Sequence, residues 1–247
     1  MVRGALDRFY RRLQGALVPE LRPSQYAFAE TLGGVLESRP TWLDLGCGRR
    51  LLPEWMPHGI EDALVARAGR RVGTDLDLAS LRDHTGLTDK VQATAKALPF
   101  PTGTFDVISA NMVMEHVADP VAVLTELRRV LRPGGAFVFH TPNRRYWAIR
   151  VARFVPQGVK NVAIRILEGR AEEDVFPTCY QFNDRDDIAK IARDAGFNVD
   201  RLDAVSSSPV TAFLGPAVLP ELWWIRRLRR PGLASRRSNY IGVLRAP

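Results

Sequence analysis

Cysteine is nearly absent: Cys47 and Cys179 are the only two in 247 residues. Two thiols cannot build a disulfide framework, and no Cys/His group has the spacing of a zinc site, so neither a secreted scaffold nor a bound metal is expected. A reducing, cytoplasmic setting is the expectation. Long apolar runs are missing too. The most apolar stretch, Pro209 to Ile225, is interrupted by Pro216, Pro220 and Glu221 and falls short of the roughly 20 clean residues a spanning helix needs. No segment reads as a signal peptide, and internal repeats and low-complexity tracts are absent.

What is present is a globular composition, 46% hydrophobic and 25% charged, in a chain long enough to bury a sizeable core. The net charge of +8 is uneven. Residues 1–40 hold six Arg against four acids, residues 220–247 hold seven Arg against Glu221 alone, and between them the two signs cancel. Basicity confined to the two ends is a weak nucleic-acid footprint, so nucleic acid is not expected as a partner.

Residues 1–40 read as a helical leader, with Leu6, Phe9, Leu13 and Leu17 at helical spacing among Arg3, Arg8, Arg11 and Arg12. Residues 41–247 read as one domain in which short apolar runs alternate with helical patterns, the signature of a parallel sheet covered by helices. The runs are 41–45, 71–74, 90–93, 105–110 and 136–141. A helix over 120–131 is stopped by Pro133-Gly134-Gly135, and one capped by Asn183 or Asp184 ends at Gly196. Phe197 to Val205 and Asn239 to Leu244 supply the last two strands. Residues 144–180 break the alternation: Trp147, Val151 and Val155, then Val159, Val162, Ile166 and Leu167, predict two helices inserted after strand five.

The first run ends in Gly46-Cys47-Gly48. A glycine turn after a strand lets the backbone approach a ligand, and a helix opening there offers free N–H groups. A dinucleotide fingerprint needs a third glycine where Leu51 stands, and a Walker loop needs a Gly-Lys-Ser/Thr that is absent. What remains is a ligand with a ribose but no obligatory phosphate. Asp75, at the end of strand two, can accept two ribose hydroxyls, while Asp44 and the turn can handle an amino-acid-like group. S-adenosylmethionine (SAM) fits.

Six segments in order, Leu43-Asp44-Leu45-Gly46-Cys47-Gly48, Gly73-Thr74-Asp75, Leu98-Pro99-Phe100, Phe105-Asp106-Val107, Glu115-His116-Val117 and 129–135 (Arg-Val-Leu-Arg-Pro-Gly-Gly), resemble the class I SAM-dependent methyltransferases. The resemblance implies a Rossmann-like α/β fold: a doubly wound, mostly parallel seven-stranded sheet with helices on both faces and a reversed final strand. It places Asp44, Gly46, Cys47 and Gly48 around the methionine part of the cofactor and Asp75 on the ribose. Leu76 would pack on the adenine, the Ala95 backbone would face the adenine edge, and Asn111 would line the methionine end. Two positions depart. Arg50 stands where the family usually has glycine, which implies a different backbone path after the turn, and Thr94 stands where an acid often receives the adenine amino group.

Methyl transfer needs alignment more than acid–base help, but a hydroxyl acceptor must lose a proton. His116, just beyond strand four, is the candidate base; the alternative is a bond within its own loop. Glu115 can equally cap a helix, and His140 reads as a core histidine. The chain lacks the Asn/Asp-Pro-Pro-aromatic motif of nucleobase amino methylation and the Pro-Cys of cytosine carbon methylation. A small molecule, sugar or lipid-linked acceptor is therefore expected, with the 144–180 insertion as its lid and Asn143, Arg144 and Tyr180 facing it. A SAM-binding module without methyl transfer is the second class.

The basic segment near 207–236 contains Pro220 to Arg230, in which Leu222, Ile225 and Leu228 form an apolar face beside Trp223, Trp224 and four Arg. One reading lays this face on an anionic membrane, the inner leaflet, as a peripheral contact. The other buries the tryptophans in a core or pocket and leaves the arginines in solvent.

Overall fold

Strands and helices alternate along the chain as the periodicities require, in a computed structural model that describes residues 2–152 and 177–247, with only the backbone of 2–8, 213, 214 and 217. The elements are α1 (Val2–Leu17), α2 (Ser24–Val35), β1 (Thr41–Leu45), α3 (His58–Arg67), β2 (Arg70–Asp75), α4 (Leu78–Asp83) and β3 (Asp89–Gln92). They continue with β4 (Phe105–Asn111), α5 (Pro120–Val130), β5 (Leu131–Pro142), α6 (Trp147–Ala152), α7 (Arg185–Asp194), β6 (Asn198–Val205), α8 (Val218–Arg227) and β7 (Asn239–Arg245). The chain divides into two compact units, a sheet unit (25–142, 178–203 and 240–247) and a helical unit whose described parts fall within 1–24, 143–177 and 204–239.

The strand order is β3-β2-β1-β4-β5-β7-β6. Neighbours β3, β2, β1, β4 and β5 run parallel. β7 is reversed: Gly134 N donates to Ala246 O and Ala246 N to Gly135 O, which lays the start of β5 beside the end of β7. The order turns back on itself between β1 and β4, so the turn after Leu45 and the residue after Ala110, which is paired with Leu45, lie side by side. That switch point is where open α/β sheets hold ligands.

The core explains why the resembling motifs consist of these residues. Leu43, Ile108, Phe137 and Val138 are buried in the sheet, and α5 turns Val123, Leu124, Leu127 and Val130 inward. Asp106 ties the start of β1 through Thr41 N at 2.8 Å and accepts from Arg132 at 2.6 Å. Arg129 donates to the carbonyls of Leu98 and Phe100 while paired with Glu126, whose carboxylate accepts from Leu98 N. A turn and a helix far apart in sequence are thus one hydrogen-bonded unit.

Strand five begins earlier than its periodicity predicts. Helix α5 ends at Val130, but Leu131 already pairs with Phe105, and Pro133-Gly134-Gly135 is an excursion inside the strand before Ala136 pairs with Val107. Burial of Leu131 explains this. After Gly48 the backbone takes a different path from the usual glycine turn, as Arg50 implied: no helix opens there and α3 starts only at His58. Of residues 1–40, α2 belongs to the sheet unit, where Phe28 stacks on His140.

In the helical unit, Val18, Leu21, Val218, Leu222 and Ile225 form one cluster against which Tyr10, Leu13 and Leu17 pack. Of the two readings of this segment, burial is the one that Leu222, Ile225 and Leu228 follow, and the lipid-facing role of these three is corrected; α1 offers an apolar stripe of its own. Glu221 is buried as well, accepting from Tyr146 Oη at 2.5 Å and from Thr211 N and Oγ1 at 2.8 and 2.6 Å. Burial first, and this carboxylate second, push the Tyr146 phenol above its ordinary pKa. The first predicted insertion helix begins as α6, while Val155, Val159, Val162, Ile166 and Leu167 lie outside the described residues.

Candidate active site

The turn at the switch point is left-handed, and at Gly46 it leaves no room for a side chain. Gly46 has φ of +64°, and a Cβ there would approach Val113 Cγ2 to 2.5 Å; Gly48 has φ of +51°. The left-handed turn points Gly48 N at Asp75, which accepts it at 2.8 Å through one oxygen and Asp77 N at 2.9 Å through the other. Asp75 is half-buried. Two backbone donors fix its carboxylate, yet each oxygen keeps lone-pair capacity for a diol. Next to it Leu76 is 56% exposed, an uncovered apolar side chain at the strand end. Ala95 is half-buried in the turn that follows Ala93, whose N–H donates to Asp75 O. A ribose with an adenine beside it fits these residues.

Asp44 and Cys47 are placed elsewhere. The Asp44 carboxylate is sealed within the sheet unit, accepting from Arg71 Nη2 at 2.7 Å and Ser109 Oγ at 3.0 Å. Burial raises its pKa, and Arg71 pulls the other way. Arg71 itself lies over the Trp42 ring at 4.7 Å. The expected contact between Asp44 and a ligand is therefore corrected: alternation along β1 turns the side chain into the layer beneath the turn. Cys47 likewise packs its side chain with Leu81 and Leu87, and burial pushes its thiol pKa upward. Only its backbone remains at the turn, with Cys47 N donating to Thr74 O.

Asn111 closes β4 as a junction. Its amide donates to Gln25 Oε1 at 2.9 Å and Leu51 O at 2.8 Å, and its Oδ1 faces His140 Nδ1 at 2.9 Å. Burial lowers the His140 pKa to about 3; a neutral ring facing that carbonyl oxygen carries its proton on Nδ1. Asn111 thus joins α2, the loop after the glycine turn and β5, a role its sequence position did not reveal.

Beyond it, Met112 takes φ of +59° and the short helix Met114–His116 follows. Glu115 is buried, and burial raises its carboxyl pKa to about 7. It does not cap a helix: its backbone O accepts from Cys179 N and Tyr180 N at 2.7 and 3.1 Å, and its side chain accepts from Thr141 at 3.4 Å. His116 is half-buried, and its backbone O faces the Cys179 thiol at 3.6 Å. The sheet unit therefore brings Tyr180 against the Glu115–His116 turn. Asn143 belongs to the helical unit and is fully buried, donating to Ser235 O and Arg237 O and accepting from Arg145 N. Those bonds occupy the amide, which corrects its expected place on an acceptor; Arg144 beside it is half-buried. Of the expected lid, residues 153–176 lie outside the described residues.

Arg71, Glu61, Ser109 and Gln25 went unread in the sequence. A charged residue in the interior of a buried strand was the signal available for Arg71. A family model described as "Methyltransferase domain" matches residues 14–202. A ubiquinone biosynthesis O-methyltransferase of Cereibacter sphaeroides (strain ATCC 17029) is 41% identical over 104 residues, 41% of either chain. One of Methylococcus capsulatus is 28% identical over 183 residues, 68% of either chain. The match thus spans about 41% of the length of the first of these relatives. The geranyl diphosphate C-methyltransferase of Streptomyces coelicolor, solved with S-adenosyl-L-homocysteine, shares the fold at a TM-score of 0.56 and 16% identity, over 90% of this chain and 77% of that one.

Proposed function

The chain belongs to the class I SAM-dependent methyltransferases, and from that premise we propose that it O-methylates a small-molecule or lipid-linked acceptor. The observation that carries the reading is the turn after β4. His116, a half-buried imidazole, follows Glu115 in the chain, a carboxyl whose pKa burial raises to about 7. Both stand at the ligand edge of the sheet, on the turn that Tyr180 N caps.

Bound SAM supplies a methyl group on a sulfonium. The residues of the chain do the rest: Asp75 and the Gly46–Gly48 turn hold and orient the donor, and His116 removes the proton of the acceptor hydroxyl. The names of the relatives in ubiquinone biosynthesis support an oxygen acceptor. Transfer of tritiated methyl from SAM into phenolic and lipid-extract fractions tests the reading. Incorporation into an alkali-stable ether is expected, with His116→Ala lowering turnover by about 10² while SAM affinity holds. Binding of S-adenosylhomocysteine without transfer to any fraction would favour the binding-module alternative.

A lipid-linked acceptor gains support from α8. With Val218, Leu222 and Ile225 buried, the helix leaves Leu219, Trp223, Arg226 and Arg227 exposed on one face, and Arg230 is exposed just past its end. The Arg227 guanidinium lies 5.6 Å from the Trp223 ring centre. An exposed indole among arginines suits the interface of an anionic bilayer. Among the described residues no helix is long and apolar enough to cross a membrane, so a peripheral seat is the membrane contact proposed. Co-sedimentation with anionic vesicles at low salt, lost in an Arg→Gln triple variant at 226, 227 and 230, is the expected result.

A further inference from the structure

Residues 49–57 follow the glycine turn without entering a helix, so no helical ladder of hydrogen bonds holds them. Something else must fix the backbone on the far side of the turn. The structure assigns that task to Glu61: we propose that this buried acid on α3 is a positioning residue for the cofactor turn, an inference that rests on the SAM-binding reading above.

Glu61 is 8% exposed. One carboxylate oxygen accepts from Leu52 N at 3.3 Å and lies 4.0 Å from Arg50 Nε. The other lies 3.5 Å from Arg71 Nη1. Arg71 in turn donates to Asp44, the residue two before Gly46. One carboxylate therefore spans from the layer under β1 and β2 to the loop that leaves Gly48. Arg50 adds a second tether, donating through Nη2 to His58 Nδ1 at 2.6 Å, at the first residue of α3.

The chemistry explains why an acid is needed. Arg71 is a buried cation, and one carboxylate cannot satisfy a fork of five donors. Glu61 supplies a second anion, and its remaining acceptor capacity reaches the loop amide and the guanidinium that stands where a glycine would otherwise continue the turn. Leu51 and Leu52 are buried alongside, and Leu51 O is held by Asn111. The loop is thereby fixed at both ends of its first segment, and Gly48 N stays aimed at Asp75. A charged strut replaces the helix start.

The test compares Glu61→Gln and Glu61→Ala with Val130→Ala, a core truncation in α5 that lowers stability without touching the turn. Calorimetry on folded protein reads the Kd for S-adenosylhomocysteine, and kinetics split KM for SAM from kcat. Glu61→Ala is expected to raise Kd and KM about tenfold, the scale of a lost charge-assisted hydrogen bond, with kcat within about twofold. Glu61→Gln, which keeps an acceptor for Leu52 N but removes the anion between Arg50 and Arg71, should fall between wild type and Glu61→Ala. Arg50→Gln added to Glu61→Gln should weaken binding less than Arg50→Gln alone. Unchanged Kd in Glu61→Ala, or a loss no larger than in Val130→Ala, overturns the proposal; if Glu61→Ala does not fold, wild-type Kd in both Glu61→Gln and Arg50→Gln does so. Wild-type protein that fails to bind S-adenosylhomocysteine would instead remove the cofactor reading itself.

Discussion

Two carboxylates were expected to hold the cofactor, and the fold treats them in opposite ways. Asp75 ends β2 half-buried, fixed by two backbone N–H groups and open to a further acceptor role. Asp44 lies in the closed layer below, bonded to Arg71 and Ser109. The same residue type therefore leaves acceptor capacity open on the rim and holds the strand frame beneath it. The rim keeps a lone pair open on each oxygen, while the layer turns both Asp44 oxygens to protein donors.

The largest effect should come from breaking the closed layer. Arg71→Met removes the cation shared by Asp44 and Glu61 and leaves two buried acids without it, a loss on the order of 3–5 kcal/mol in stability. Urea unfolding measures it, and a loss below about 1 kcal/mol would show that the layer is better hydrated than its burial implies. Asp75→Ala should behave in the reverse manner. SAM affinity should fall by at least about tenfold, from charge-assisted bonds worth about 1.5–3 kcal/mol, while unfolding changes far less than in Arg71→Met. Equal affinity by calorimetry would remove Asp75 from the site.

Acid separates the two regions again. His84 is buried in the lower layer, its Nδ1 accepting from Gly86 N, and burial first, then Arg71, lower its pKa to about 4. The unfolded chain takes up a proton near pH 6.5 that the folded ring refuses until about 4, so stability is present above 6.5 and is lost as pH falls through that window. Each such histidine contributes a slope of about 1.4 kcal/mol per pH unit. His84→Gln should flatten the acid limb by up to that amount, read by unfolding at pH 7, 6 and 5. A slope unchanged by the substitution would mean that the ring protonates in the folded state.

The sequence was legible where a residue type is forced by backbone geometry or by a bond to a distant motif. Gly46 and Gly48 need positive φ, Arg129 and Glu126 clasp the Leu98–Pro99–Phe100 turn, and Asp184 caps α7 as its position implies. Side-chain direction was less legible. Motif position alone did not separate Asp75 from Asp44; the alternation of β1, which puts Asp44 on the face of Trp42, could have done so. The helical unit was harder still. Leu222, Ile225 and Leu228 form an apolar stripe that lipid or α1 could equally cover, and periodicity carries no information about which partner is present. Asn143 was expected to face the acceptor, yet three backbone groups claim its amide.

The smallest expected effect sharpens the rim side of the comparison. Leu76 and Leu81 are both leucines of the β2–α4 region, but Leu81 is 3% exposed and Leu76 is 56% exposed. If Leu76 packs on the adenine, the ligand covers area that folding left open, and about half the worth of a buried leucine, about 1 kcal/mol, should appear in binding instead of stability. Leu76→Ala should then weaken S-adenosylhomocysteine about fivefold with little change in unfolding. Leu81→Ala should do the converse, with a stability loss of about 2–5 kcal/mol and near-normal affinity in the folded fraction. Calorimetry and urea unfolding on the same two variants decide it. Leu76→Ala that binds as tightly as wild type would leave the adenine to other residues, and the open leucine would then be no more than an uncovered side chain.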